Sequence, residues 1–140
     1  MSTHAPFLEK VMRKGNLKST GEAKKATEVV FRTLRDVMST EAVERVEDEL
    51  DDKPGDDTVE DLWEDTNPLV SFLSRIRPQL KIKSENFLIR LQQEANLPEA
   101  DPETVMKAVF SATKDELSEA RIQEISKFLP DEIQQMWQQA

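Results

Sequence analysis

The strongest constraint on how this chain can fold is that it nearly repeats itself. Phe7-Leu8 returns as Phe87-Leu88 and Asn16-Leu17 as Asn96-Leu97, both in one register. After a one-residue slip, Val30-Phe31 answers Val109-Phe110 and Ser39 answers Ser118. Val43, Val46 and Leu50 then answer Ile122, Ile125 and Leu129. Past an insertion through Lys53-Pro54-Gly55, Leu62-Trp63 answers Met136-Trp137. Apolar positions that recur in order with small gaps imply one supersecondary unit built twice. Units of about 60 residues are marginal alone, whereas a chain of about 150 buries roughly 70% of its unfolded surface. The two copies are therefore expected to share a core.

The period of the apolar residues is helical throughout. Phe7, Leu8, Val11 and Met12 share one helix face, and Gly15-Asn16 supplies a left-handed stop. Ser19-Thr20-Gly21-Glu22 has capping-box spacing and launches a helix with Ala23, Ala26, Val29 or Val30, Leu34, Val37 and Met38 inward. Ser39 caps a third helix carrying Val43, Val46 and Leu50. Asp51 to Asp57, with Pro54-Gly55, reads as a loop before a short helix holding Val59, Leu62 and Trp63. Asn67-Pro68 starts a helix that must stop before Pro78; it belongs to neither copy and reads as a connector, followed by an extended link from Leu80 to Lys83. In the second copy the starts are Ser84, Asp101-Pro102, Ser118 and Pro130. The expected fold is all-α: a pseudo-two-fold helical bundle with a first repeat over 1–66, a connector helix and link over 67–83, and a second repeat over 84–140.

Glu116-Leu117-Ser118-Glu119-Ala120, then Phe128-Leu129-Pro130-Asp131-Glu132-Ile133 and Met136-Trp137, carry a family pattern. The chain resembles the bacterial family called domain of unknown function (DUF) 2267, in two tandem copies. Phe7-Leu8-Glu9-Lys10-Val11 matches that family's opening, and Met38-Ser39-Thr40-Glu41-Ala42 its middle. The first copy departs at Leu50-Asp51, where the second has Leu129-Pro130. The resemblance implies a helical bundle and supplies no catalytic residue.

Composition excludes several chemistries. There is no cysteine, so disulfides and thiolate metal sites are absent, and a reducing compartment fits. His4 is the single histidine, so a catalytic triad or a histidine-ligated zinc would have to use it. Three scattered glycines make no phosphate-cradling loop. No window approaches the roughly 18 apolar residues of a membrane span. Met1 to Pro6 lacks a secretory pattern, so a cytoplasmic protein is expected. The acidic stretch Asp51 to Asp57 fails the calcium-loop template, because positions 3, 6 and 12 counted from Asp51 are Lys53, Asp56 and Leu62. No metal and no cofactor is expected.

Charge is uneven. The net value is −9, yet Glu9 to Arg35 holds eight Lys or Arg against three Glu, and Glu41 to Asp65 holds thirteen acids against Arg45 and Lys53. Lys18, Lys25 and Arg32 fall seven apart along one helical side or its approach. They could face nucleic acid, but an acidic chain without interleaved aromatics opposes a polyanion. The favoured reading pairs them with the Glu41 to Asp65 segment, within one molecule or between molecules, so self-association is allowed. Trp63 and Trp137 end equivalent units and either plug their own halves or face a ligand. The expectation for function is a non-catalytic protein–protein interaction module, adaptor or regulatory, with Trp63, Phe72 and Trp137 as partner anchors and Lys18, Lys25 and Arg32 guiding approach. The alternative is a carrier of a small apolar ligand between the repeats.

Overall fold

The computed structural model describes residues 5–51, 81–97 and 100–140. Among them are seven helices and no strand, so the fold is all-α as expected. The first half contributes α1 (Ala5–Lys14), α2 (Thr20–Val37) and α3 (Thr40–Asp51). The second contributes α4 (Ser84–Ala95), α5 (Pro102–Lys114), α6 (Glu119–Ser126) and α7 (Asp131–Gln139). The expected connector helix, the Trp63 helix and the Asp52–Asp57 stretch lie outside the described residues, and Lys81 to Lys83 take no regular structure.

Local chemistry explains most helix ends. Ser19, Ser39, Asp101 and Ser118 each accept a bond from the backbone N–H three residues on, at 3.1–3.4 Å, satisfying donors that a helix start leaves open. Glu22 reaches back to the amide of Lys18 at 2.9 Å, closing the box one residue earlier than the usual pattern. Two expected starts move. Ser84 is the first helical residue rather than the cap; Lys83 occupies the cap position and no side chain bonds there. Pro130 is the cap residue of α7, its fixed φ of −67° leading the chain in.

The stop after α1 falls on Asn16, with φ 56°, rather than on Gly15. Leu17 N–H donates to Met12 and Asn16 N–H to Arg13, the paired bonds of a Schellman end. Gly15 serves a different need. A Cβ there would stand 2.8 Å from the Val11 carbonyl oxygen in the last turn of α1, whereas Ala108 Cβ on α5, at 3.5 Å, would be an ordinary contact, so the bare backbone spares the end of α1 a clash with its own carbonyl. Asn96 repeats the left-handed turn at φ 52° after α4.

The core runs continuously through both halves. α1 lies on α5 and α2, while α2 also lies on α4 and α5. α3 meets α6, and α7 packs on α4, α5 and α6. The expected inner face of α2 is buried, with Val30 in and Val29 half-buried, and Phe31, Thr27, Thr33 and Asp36 are buried as well. α2 and α5 are thus enclosed around much of their circumference. Thr27, Thr33 and Thr113 fit this interior by donating their hydroxyls to the carbonyl four residues back, at 2.7–2.9 Å.

Candidate functional site

Several basic residues of the first half reach polar partners in the second. Lys10 pairs with Asp115, Lys14 donates to Ser111 Oγ at 3.1 Å, and Arg32 meets Glu94 at 3.3 Å. These cations reach across to α4 and the end of α5, where they border the packed interface. Arg13, Lys18, Lys24 and Lys25 are exposed. Their charge gains nothing from the α2 dipole, since cations favour a helix C-terminus and these lysines sit toward its start. Lys18 and Lys25 therefore share an exposed end, while Arg32, expected with them, is turned toward α4.

Lys10 and Arg32 meet Asp115 and Glu94 of the second half, while most of the Glu41 to Asp65 segment expected to receive the basic residues lies outside the described residues. The described part of that acidic segment makes its own cross-half seam. Arg45 Nε lies 2.8 Å from Glu124 Oε2 and 3.2 Å from Oε1, and Glu49 accepts from both the amide and the hydroxyl of Ser118. Hydrogen bonds from Arg45, then the charges of Arg121, Arg45 and Lys127, hold the Glu124 carboxyl below the usual glutamate range against the opposing effect of burial. The same contact raises the Arg45 guanidinium.

Trp137 is 1% exposed and belongs to the core, so it does not stand at the surface as a partner anchor. Its large ring is more favourably covered than left in water. Phe110 meets it edge-on with centroids 5.0 Å apart, and its Nε1–H donates to the Ile122 carbonyl at 3.1 Å. Lys114 Nζ sits 5.9 Å from the ring centroid and donates to the carbonyls of Trp137 and Ala140, at 2.8 and 3.0 Å. That cation satisfies open carbonyls at the end of α7 and complements its dipole. Trp63 and Phe72 lie outside the described residues.

Beside Trp137 is an open hollow of about 190 Å³, lined by Lys114, Glu119, Ile122, Gln123, Ser126 and Gln138. Three of its polar side chains are engaged: Lys114 as above, and Glu119 with the Gln123 amide at 2.8 Å. A second space, of about 10 Å³, lies among Leu91, Leu97, Ala100, Pro102 and Val105, scarcely room for one water. No group of three metal-ligating acids or histidines occurs among the described residues.

Pattern reading missed Asp36. It is 8% exposed and takes a 2.8 Å hydrogen bond from Arg90 of α4. The signal was present: Asp36 follows Val29 and Thr33 at helical spacing on a covered face, where an acid needs a cation close by. Lys114 and the Arg45–Glu124 contact carried no such local sign.

No helix among the described residues is long and apolar enough to cross a membrane. No curated protein matches the chain. The profile of a family described as an uncharacterized conserved protein (DUF2267) matches residues 4–136, nearly the whole of the 140. The chain belongs to the DUF2267 family.

Proposed function

We propose that this protein is a non-catalytic helical interaction module, adaptor or regulatory, built from two tandem copies related by a pseudo-two-fold axis. Support for the duplication comes from polar contacts that occur in mated pairs. In the register matching Phe7 to Phe87, Lys10 answers Arg90 and Lys14 answers Glu94. In the register matching Val30 to Val109, Arg32 answers Ser111, Asp36 answers Asp115 and Arg45 answers Glu124. Lys10–Asp115 and Arg90–Asp36 are then one contact made twice with the halves exchanged. Lys14–Ser111 and Arg32–Glu94 are a second such pair. Arg45 meets its own counterpart, as residues on a two-fold axis do.

The observation that carries the interaction reading is the exposed basic end of α1 and α2. Arg13, Lys18, Lys24 and Lys25 are solvent-exposed on a chain of net charge −9. Such a local reversal steers an acidic partner segment and rejects basic ones. The spaces beside Trp137 and Leu91 lend nothing to the carrier reading, since one is polar-rimmed and open and the other too small. Affinity capture from the native host with the wild-type protein and with Lys18→Glu/Lys25→Glu is the direct test. An acidic protein held by the wild type and released by the double reversal, with helicity unchanged, is the expected result. An identical captured set for both proteins sinks the reading.

A further inference from the structure

The contact between the two halves selects its partner by charge. If two first halves met in the same geometry, Arg45 would face Arg45 and Lys14 would face Arg32. If two second halves met, Glu124 would face Glu124. Only unlike halves turn these into Arg45–Glu124, Lys14–Ser111 and Arg32–Glu94. Lys10, Asp36, Arg90 and Asp115 do not discriminate, because either arrangement sets a cation against an acid.

The interface is also the core. Phe7, Leu8 and Val11 of α1 are buried where that helix lies on α5 and α2, and Phe87 and Leu91 of α4 are buried where it lies on α2 and α5. Each half thus depends on an unlike half for cover. The sequence between α3 and α4 runs from residue 52 to residue 83. At about 3.3 Å per extended residue its contour is on the order of 100 Å, many times the 8–10 Å or so between packed helices. Connection alone does not dictate which molecule supplies the unlike half.

We propose that the face each half presents to the other is a docking surface for the unlike half of a second copy, giving an exchanged dimer in which both cores are rebuilt across chains. Arg32 and Arg45 on one side, with Glu94 and Glu124 on the other, specify the pairing. Within one chain the unlike half is present at an effective concentration of order millimolar, so the closed monomer dominates in dilute solution. The exchanged dimer forms as concentration approaches that range or when chains refold together. The inference rests on the observed contacts between halves and is independent of the lysine face.

The test reverses the code one side at a time. Arg32→Glu/Arg45→Glu and Glu94→Arg/Glu124→Arg each set like charges across the interface and should lower Tm by about 3–8 °C. Joining all four changes in one chain should raise the Tm above that of either double variant, short of the wild type by the lost Arg121–Glu124 pair, and restore a monomer. Unfolding the two double variants, mixing them and refolding them together should give a 1:1 heterodimer by native mass spectrometry, because both of its interfaces are complementary. The proposal is overturned by the mixture remaining as two monomers while the four-fold variant recovers, or by the four-fold variant melting no higher than the double variants. Dimerisation of either double variant alone would equally refute the charge code.

Discussion

Glu124 shows how one residue binds distant parts of the chain. It accepts from Arg45 across the seam and pairs with Arg121 one turn earlier at 3.1 Å. Because its folded-state pKa is depressed, its contribution is present above the unfolded glutamate value of about 4.3 and is lost as pH falls through the folded value. Glu124→Gln should therefore melt below the wild type at pH 7, and the gap should close as acid protonates the wild-type carboxylate. Thermal melts from pH 7 to pH 2.5 measure this directly. A gap that stays constant over that range would mean that packing, and not charge, sets the difference. Asp36 is more deeply covered than Glu124, yet its ion partner comes from α4, more than fifty positions away. Its role was readable only as an acid in an apolar phase.

The helices were legible where a side chain bonds its own backbone. Ser118 is the clearest case, since it accepts from Arg121 N–H and also donates to Glu49 of α3. Ser118→Ala should cost about 1–2 kcal/mol in urea denaturation, the cap and the cross-half bond together. Ser84→Ala should be nearly neutral, because Ser84 lies inside α4 and makes no cap bond. Equal losses at the two serines would show that the caps are not what distinguishes them. Sequence reading treated the two alike, since a serine before an apolar run has the same appearance whether its hydroxyl faces the helix start or lies one residue inside it. Asn16 illustrates the same limit from the other end. Gly15-Asn16 marks a stop, and the left-handed turn falls on Asn16, while a Cβ at Gly15 would crowd the Val11 carbonyl oxygen of the same helix.

At the scale of the molecule the halves should act as one cooperative body. α1 and α5, α2 and α4, and α3 and α6 each pair across the division, so neither half keeps its apolar face covered by itself. Urea unfolding of a Trp63→Phe variant, in which Trp137 is the remaining indole, should give coincident transitions by far-UV circular dichroism and fluorescence. Trp137 reports the second half through its contacts with Phe110 and Ile122. A fluorescence transition displaced from the helical one would mean that the halves unfold separately.

The sequence alone determined that the chain is helical, where most helices begin, and which faces are apolar, because spacing, caps and stops act within a few residues. It also carried the near-repeat and the short motifs that point to the family. Only the tertiary structure decided that Lys10, Arg32 and Arg45 meet acids of the second half, that Asp36 and Trp137 lie inside, and that Lys18 and Lys25 are exposed. Those outcomes depend on which helices come to lie side by side, and a local pattern of apolar and charged residues admits many such pairings until packing selects one.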